Sequence, residues 1–297
     1  MNAYQEVTEK IIKKMQAGEI PWQKPWARIL GQAVKHSDGT SYSVLNQLLL
    51  GRTGEFITFA QAKAEGGHIK KGAKSTTIYL WRNSKEKDGD RKEKAAASSP
   101  EESETASGKK EDEDGYWFLK RYQVFGIDDA EGVKPRWSDP LPENPADPDR
   151  TAEVFLSSYL DCQPSLQLKP GEDASYDESS DTVFMPEIIR FRSKELYYKT
   201  LFHQMAHSTG SAERLSRQAD RIAFRDDHAS REDLLAEICS AMVCSFAGLD
   251  VTKTVEDTAA YIEKWIPALR KDPRMIVWAS RRAEEAARYI MNDSFDN

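Results

Sequence analysis

Two histidines stand four residues apart in the string Thr200-Leu201-Phe202-His203-Gln204-Met205-Ala206-His207-Ser208-Thr209-Gly210. On a helix that spacing projects both imidazoles from one face, at the separation that a single tetrahedral metal ion takes. The chain holds only five histidines in 297 residues, so a pair within one turn is not what chance supplies. A third ligand is expected from Arg231-Glu232-Asp233-Leu234-Leu235-Ala236-Glu237, which offers three carboxylates. Asp233 and Glu237 share a helical face, so one can ligate the metal while the other receives the free N–H of a ligating histidine. His228, in a polar, loop-like context, is a further alternative. The ion implied is divalent, zinc first and manganese as the alternative.

A second set of residues suits nucleic acid. Single-strand binding needs cations for the phosphates and flat side chains on which bases stack. Residues 20–82 interleave Trp22, Trp26, Tyr42, Phe56, Phe59, Tyr79 and Trp81 with Lys24, Arg28, Lys35, Lys63, Lys70, Lys71, Lys74 and Arg82. About two-thirds of these aromatics are expected in the core, because a small domain needs them there. Trp22 and Trp26, in a Pro-rich stretch beside Lys24 and Arg28, are the expected exposed stackers. The stretch Gly66-Gly67-His68-Ile69-Lys70-Lys71-Gly72-Ala73-Lys74 reads as a basic loop whose glycines let the backbone approach phosphates. No base-reading motif is present, so binding is expected to be sequence-independent.

These residues must be held by a fold. With 39% hydrophobic and 10% aromatic residues, the chain has the material for a core and is not wholly disordered. No run approaches the roughly 18 apolar residues of a membrane helix, and the N-terminus lacks the apolar run of a secretory signal, so a soluble, cytoplasmic protein without a membrane partner is expected. Cys162, Cys239 and Cys244 have no metal-ligand spacing and read as core thiols. Residues 1–82 carry 12 basic against 6 acidic side chains, whereas residues 138–297 carry 19 against 29. A basic, polyanion-binding front half joined to an acidic back half follows. Residues 1–137 and 151–297 are the expected domains. The charged, Ser- and Gly-rich stretch Asn83–Gly115 is expected to be a disordered insertion between two strands, and the Pro-rich run Pro135–Pro148 reads as the interdomain linker, which places the linker at residues 138–150. Helices are expected over the opening segment (Val7, Ile11, Ile12, Met15, stopped at Gly18) and over 151–160, 193–208, 231–247, 254–271 and 273–290. A hairpin or strand is expected over 174–185.

The histidine string resembles the zincin metallopeptidase motif H-E-x-x-H. Its context (Tyr198-Lys199-Thr200-Leu201-Phe202-His203, His207-Ser208-Thr209-Gly210, Arg214-Leu215, Glu232 to Glu237) is similar to the C-terminal domain of the ArdC-type antirestriction proteins of conjugative plasmids. The resemblance extends through Pro21-Trp22, Pro25-Trp26, Tyr42-Ser43-Val44-Leu45-Asn46, Thr58-Phe59-Ala60-Gln61-Ala62-Lys63, Gly66-Gly67-His68-Ile69-Lys70-Lys71-Gly72 and Tyr122-Gln123-Val124-Phe125. It implies an α+β chain of two domains, an N-terminal α/β single-stranded-DNA-binding domain and a C-terminal, mainly helical zincin-like domain, protecting incoming DNA from restriction. Restriction enzymes or another protein substrate are the implied protein partners. By the same resemblance Asp233 is the third ligand and supports Glu237 as the acid behind a ligating histidine, with Glu237 as the alternative ligand. The residues expected to contact DNA are Trp22, Lys24, Trp26, Arg28, Tyr42, Asn46, Gln61, Lys63, His68, Lys70, Lys71 and Lys74. The strand Asp181–Pro186 would be the edge along which a peptide pairs. One position departs from the motif: the catalytic glutamate is Gln204, whose amide accepts no proton at neutral pH, a loss of about 10²- to 10⁴-fold in hydrolysis that depends on it. As written, the chain is therefore either a metal-binding scaffold or an inactive form of a DNA-recruited metalloprotease.

Overall fold

The computed structural model describes residues 2–23, 33–83, 117–137, 145–217, 220, 228–255 and 258–292. Helix α1 spans Ala3–Gln16 and opens on a capping box between Asn2 and Gln5. It buries Val7, Ile11, Ile12 and Met15, the stripe expected from the sequence. A single 3₁₀ turn follows at Pro21–Gln23. Then come β1 (Ala33–Lys35), α2 (Val44–Leu50), β2 (Gly54–Thr58), α3 (Phe59–Ala64), β3 (His68–Ile69), β4 (Thr76–Asn83), β5 (Trp117–Gly126) and β6 (Ala130–Glu131). Strands pair in the order β1-β2-β5-β4, with β1 and β2 parallel and the rest antiparallel, while β3 pairs with β6. The two runs flanking the expected insertion are thus neighbours, in register from Thr76 opposite Val124 to Asn83 opposite Trp117. The insertion itself lies outside the described residues.

The second half begins with α4 (Pro148–Cys162), capped by Asp147, whose carboxylate accepts from Arg150 N at 3.1 Å. Proline at the first helical position fits there, since its missing N–H has no partner in that turn. The helix therefore absorbs the last residues of the expected linker. At the linker's front, the N–H groups of Arg136 and Trp137 donate to Glu55 Oε2 at 2.8 and 3.0 Å. Strands β7 (Gln167–Pro170), β8 (Ser175–Asp177) and β9 (Thr182–Met185) form a sheet ordered β7-β9-β8. Strand β9, expected as an exposed edge, is the central strand: β7 occupies one side and β8 the other. Among the described residues β8 is an edge strand of this sheet, and it contacts the histidine helix. Helices α5 (Lys194–Ser208), α6 (His228–Phe246), α7 (Thr258–Lys271) and α8 (Met275–Ile290) complete the chain. Among the described residues no helix is long and apolar enough to cross a membrane.

Helix α6 is apolar around most of its circumference, with Leu234, Leu235, Ile238, Cys239, Met242 and Val243 all buried, and a helix of that kind must be enclosed. It lies between α5 and α8. Burial pushes the Cys239 thiol up to about 12, so it packs as an inert hydrophobe, whereas Cys162 is exposed rather than in the core. The apolar cluster around α6 continues without a break into α1 and α2, joining Ile11 and Leu48 to Leu201, Leu235 and Ile276. The two halves thus share one core. A smaller cluster, including Tyr42, Phe56, Ile78 and Val124, lies under the four-stranded sheet.

The β8–β9 turn is pinned to the end of α5. Arg214, whose side chain is buried, donates to both carboxylate oxygens of Asp181, to Tyr176 Oη at 3.1 Å and to Ser208 O at 2.6 Å. Those Arg214 hydrogen bonds, helped by Tyr176 and Ser165, hold the Asp181 carboxyl below its usual range against the opposing effect of burial. A carboxyl whose pKa is depressed on folding stabilises the protein above its unfolded value, near about 3.9, and this contribution is lost as pH falls through the folded value. Asp181→Asn, which keeps a residue tolerant of the positive φ of 45° there, is expected to lower stability at pH 7 by about 1–3 kcal/mol. Urea unfolding across pH should show the gap to the wild type closing below about pH 4.

Candidate metal centre

Ser193 caps α5, its hydroxyl accepting from Leu196 N at 3.2 Å. The helix buries Tyr198, Leu201, Phe202, Met205 and Ala206, and α6 packs against it. That packing leaves His203 and His207 side by side on a half-buried flank, their Nε2 atoms 3.2 Å apart. His203 Nε2 lies 3.4 Å from Asp233 Oδ1 on α6. One donor atom from each of His203, His207 and Asp233 falls within 4.8 Å of the other two. A tetrahedral ion with bonds of about 2.1 Å sets its ligand atoms about 3.4 Å apart, so this set of two nitrogens and one carboxylate oxygen fits a divalent ion.

Each of the three carboxylates of α6 has its own cation. Glu232 receives Arg217 through Nε and Nη2, both at 2.9 Å, and the same guanidinium donates to Thr209 Oγ1 and to Ala206 O at the end of α5. Glu232 is thereby engaged away from the histidines, its nearer oxygen 4.0 Å from His207 Nδ1. Asp233 pairs through Oδ2 with Lys264 of α7 at 2.7 Å, leaving Oδ1 toward His203. Glu237 accepts the Tyr261 hydroxyl at 2.8 Å and pairs with Lys199 at 3.2 Å, both through Oε2, while Oε1 faces His203 Nδ1 at 3.6 Å.

The protonation states suit ligation. Burial, with the neighbouring His203 and Arg217 charges adding, brings His207 down to about 4, against the attraction of Glu232 and Asp233; the ring is neutral at pH 7 with a lone pair to give. Asp233 pays a burial cost that its His203 contact and its Lys264 pair outweigh, so its carboxyl stays well below the usual range. For Glu237 burial is likewise outweighed by Lys199, His203 and Tyr261. Burial and the adjoining Glu237 charge push the Tyr261 phenol well up, which keeps it a donor.

Residues 1–125 match the family model of the N-terminal domain of anti-restriction factor ArdC, and residues 159–282 match that of a zincin-like metallopeptidase. The structure is similar along its whole length to two crystal structures of the antirestriction ArdC protein from plasmid R388. The metal-free form gives a TM-score of 0.67 at 28% identity, over 99% of this chain and 98% of that one. The Mn(II)-bound form gives 0.66 at 27% identity, over 100% and 99%. The chain belongs to the ArdC-type antirestriction family. Similarity also extends to a DNA primase TraC of Escherichia coli, 29% identical over 298 residues, which are 97% of this chain and 20% of the primase. The ArdC-type chain therefore spans about a fifth of that relative's length.

In this ArdC-type chain Gln204 sits beside His207 on a cavity of about 410 Å³ lined also by Ser175 and Tyr176 of β8 and by Arg217 and Glu232. Of the expected DNA-contacting residues, Lys63, His68, Lys70, Lys71 and Lys74 are exposed around α3, β3 and the loop that follows. Phe59, on α3, is 60% exposed and is the flat side chain beside them. Gly66 and Gly72 take φ of +79° and +87°, conformations that side-chain-bearing residues rarely adopt, which accounts for the glycines of the loop. Lys70 is partly engaged, donating to Asp128 O at 2.7 Å.

Other expectations for DNA contact are corrected. Trp22 is 0% exposed: it stacks edge-on to Trp265 and donates to Tyr261 Oη, because the short turn after α1 drives it into the shared core. Tyr42 is buried edge-on to Phe56. Asn46 is buried and joins α2 to β4, exchanging 2.8 Å hydrogen bonds with the backbone N–H and C=O of Tyr79. Gln61 spends its side chain capping α3, accepting from Thr58 N at 2.9 Å. Lys24, Trp26 and Arg28 lie outside the described residues, as does the His228 side chain. Sequence reasoning missed Arg217, Lys264 and Tyr261, which carry no local pattern. Lys199 had a legible signal: 199, 203 and 207 repeat every four residues on one helical face.

Asp233→Ala and His203→Ala are each expected to abolish stoichiometric divalent metal, measured by elemental analysis of the dialysed protein. Glu232→Gln should retain the metal and lower thermal stability instead, since it strands the buried Arg217. Metal loss in Glu232→Gln with retention in Asp233→Ala would reassign the third ligand.

Proposed function

We propose that the chain protects incoming DNA from restriction by binding single strands without sequence preference, and that it carries a divalent ion on His203, His207 and Asp233 in a centre disabled for peptide hydrolysis by Gln204. Residues 1–137 carry the DNA face and residues 151–297 the metal centre. Zinc is the first candidate for a tetrahedral nitrogen and oxygen set, with manganese as the alternative. The protein acts in the cytoplasm, with single-stranded DNA and a restriction enzyme or other protein as partners.

The observation that carries this reading is the close approach of the three donor atoms beside an amide at the position of the zincin general base. A divalent ion supplies Lewis acidity toward a carbonyl or a water. The protein's share of hydrolysis is to take and return a proton, and Gln204 can donate and accept hydrogen bonds without moving one. His207 stays neutral and Asp233 ionised without help from residue 204, so ligand readiness is independent of the lost base. On the DNA face, Lys63, Lys71 and Lys74 are placed for phosphates and Phe59 for stacking.

A second reading, a DNA-recruited metalloprotease inactivated at residue 204, is favoured by the cavity and by β8, whose free edge offers an extended peptide a pairing partner. Gln204→Glu separates the two. With metal and single-stranded DNA present and an EDTA control, intact-mass analysis of wild type and variant is expected to show equal metal content and, under the scaffold reading, no cleavage by either. Cleavage by the variant of itself or of a protein panel would establish the protease reading.

For the DNA face, fluorescence anisotropy on an oligothymidylate should show affinity falling steeply as salt rises. The Lys71→Ala/Lys74→Ala variant should bind more weakly, with its log–log salt slope reduced by about 0.7 per lysine and its metal content unchanged.

A further inference from the structure

Trp22 and Tyr261 come from opposite ends of the chain, and neither lines the cavity beside Gln204. Trp22 Nε1–H donates to Tyr261 Oη at 2.9 Å, and the Tyr261 hydroxyl donates to Glu237 Oε2 at 2.8 Å. The direction of this relay is fixed by chemistry: an indole N–H can only donate, an ionised carboxylate can only accept, and the phenol between them does one of each. Lys199 approaches the same Oε2 at 3.2 Å. With both partners on one oxygen, rotation of the Glu237 carboxylate is restricted and Oε1 is left facing His203 Nδ1. Charge neutralisation alone would need only Lys199. A filler for the space at 261 would need no hydroxyl.

We propose that Trp22 and Tyr261 are positioning residues for the metal centre, holding Glu237 opposite His203 Nδ1 so that the N-terminal half of the chain raises the affinity of the centre for a divalent ion. This rests on the ligand set proposed above. Groups that orient a ligating histidine from behind typically change metal affinity about 10- to 100-fold when altered. Tyr261→Phe, which removes both bonds of the phenol and little volume, is expected to weaken binding about 10-fold. Trp22→Phe leaves the phenol able to reach Glu237, so its effect should be the worth of one neutral hydrogen bond, about 2- to 10-fold.

The test uses the full chain, with Zn(II) and Mn(II) dissociation constants measured by chelator competition. Wild type, Trp22→Phe, Tyr261→Phe, Glu237→Gln and the Trp22→Phe/Glu237→Gln double variant are compared, with circular dichroism as a check of folding. Both aromatic variants should bind the ions more weakly than wild type. The Trp22→Phe effect should vanish in the Glu237→Gln background, because a residue acting through Glu237 has nothing left to act on. Wild-type affinity in either folded aromatic variant overturns the proposal, as does a Trp22→Phe effect that persists undiminished without the carboxylate. Should Trp22→Phe fail to fold, Tyr261→Phe combined with Glu237→Gln gives the same decision. Absence of bound ion from the wild type, or its retention in His203→Ala, would instead overturn the ligand set itself.

Discussion

Three carboxylates within six residues of one helix, opposite two histidines, form a charge arrangement that repels itself unless each member is separately compensated. The fold does this with three cations from three different elements: Arg217 from the loop after α5 for Glu232, Lys264 from α7 for Asp233, and Lys199 from α5 itself for Glu237. The compensation also sorts the acids. Glu232 is gripped at both oxygens, Glu237 is held at the oxygen away from the histidine, and Asp233 keeps one oxygen beside His203 Nε2. A helix presenting three equivalent acids becomes one presenting three different ones.

That sorting depends on how α5 and α6 are packed. Because α6 is apolar on nearly every side, it is enclosed by α5 and α8, and the cluster around it runs on into α1 and α2. Thr8 Oγ1 donates to Pro273 O, and Val44 N to Glu284, so hydrogen bonds as well as apolar contacts join the first fifty residues to the last thirty. The opposite charges of the two halves are a property of surfaces, which say nothing about which helices share a core. The proposed metal centre and the proposed DNA face therefore sit on a single folded body, although the residues for each come from different parts of the chain.

The centre is also built so that readiness to hold an ion does not require readiness to hydrolyse. The half-buried His207 is neutral, Asp233 and Glu237 are ionised, and Tyr261 is a protonated donor. None of these states is set by residue 204. Gln204 faces the cavity as an amide beside His207, Arg217 and Glu232.

The four-residue spacing of His203 and His207, the acidic segment 232–237, the apolar stripe of α1, the helix runs after residue 150 and the pairing of the strands around the insertion were all legible in the sequence. Each is a local pattern, with a helical or strand period that the chain imposes before any tertiary contact forms. What the sequence left open was decided between distant segments. Whether Trp22 meets a base or Tyr261 depends on the core 239 residues away, and an indole suits either surroundings. Asn46 reads as a surface polar residue until the backbone of Tyr79 arrives to satisfy it. Strand β9 reads as an edge until β7 and β8 take both its sides, because pairing partners are not encoded in a strand's own alternation. The choice among Glu232, Asp233 and Glu237 rests on where Arg217, Lys264, Lys199 and Tyr261 come to lie, and only the tertiary structure brings those side chains to one helix.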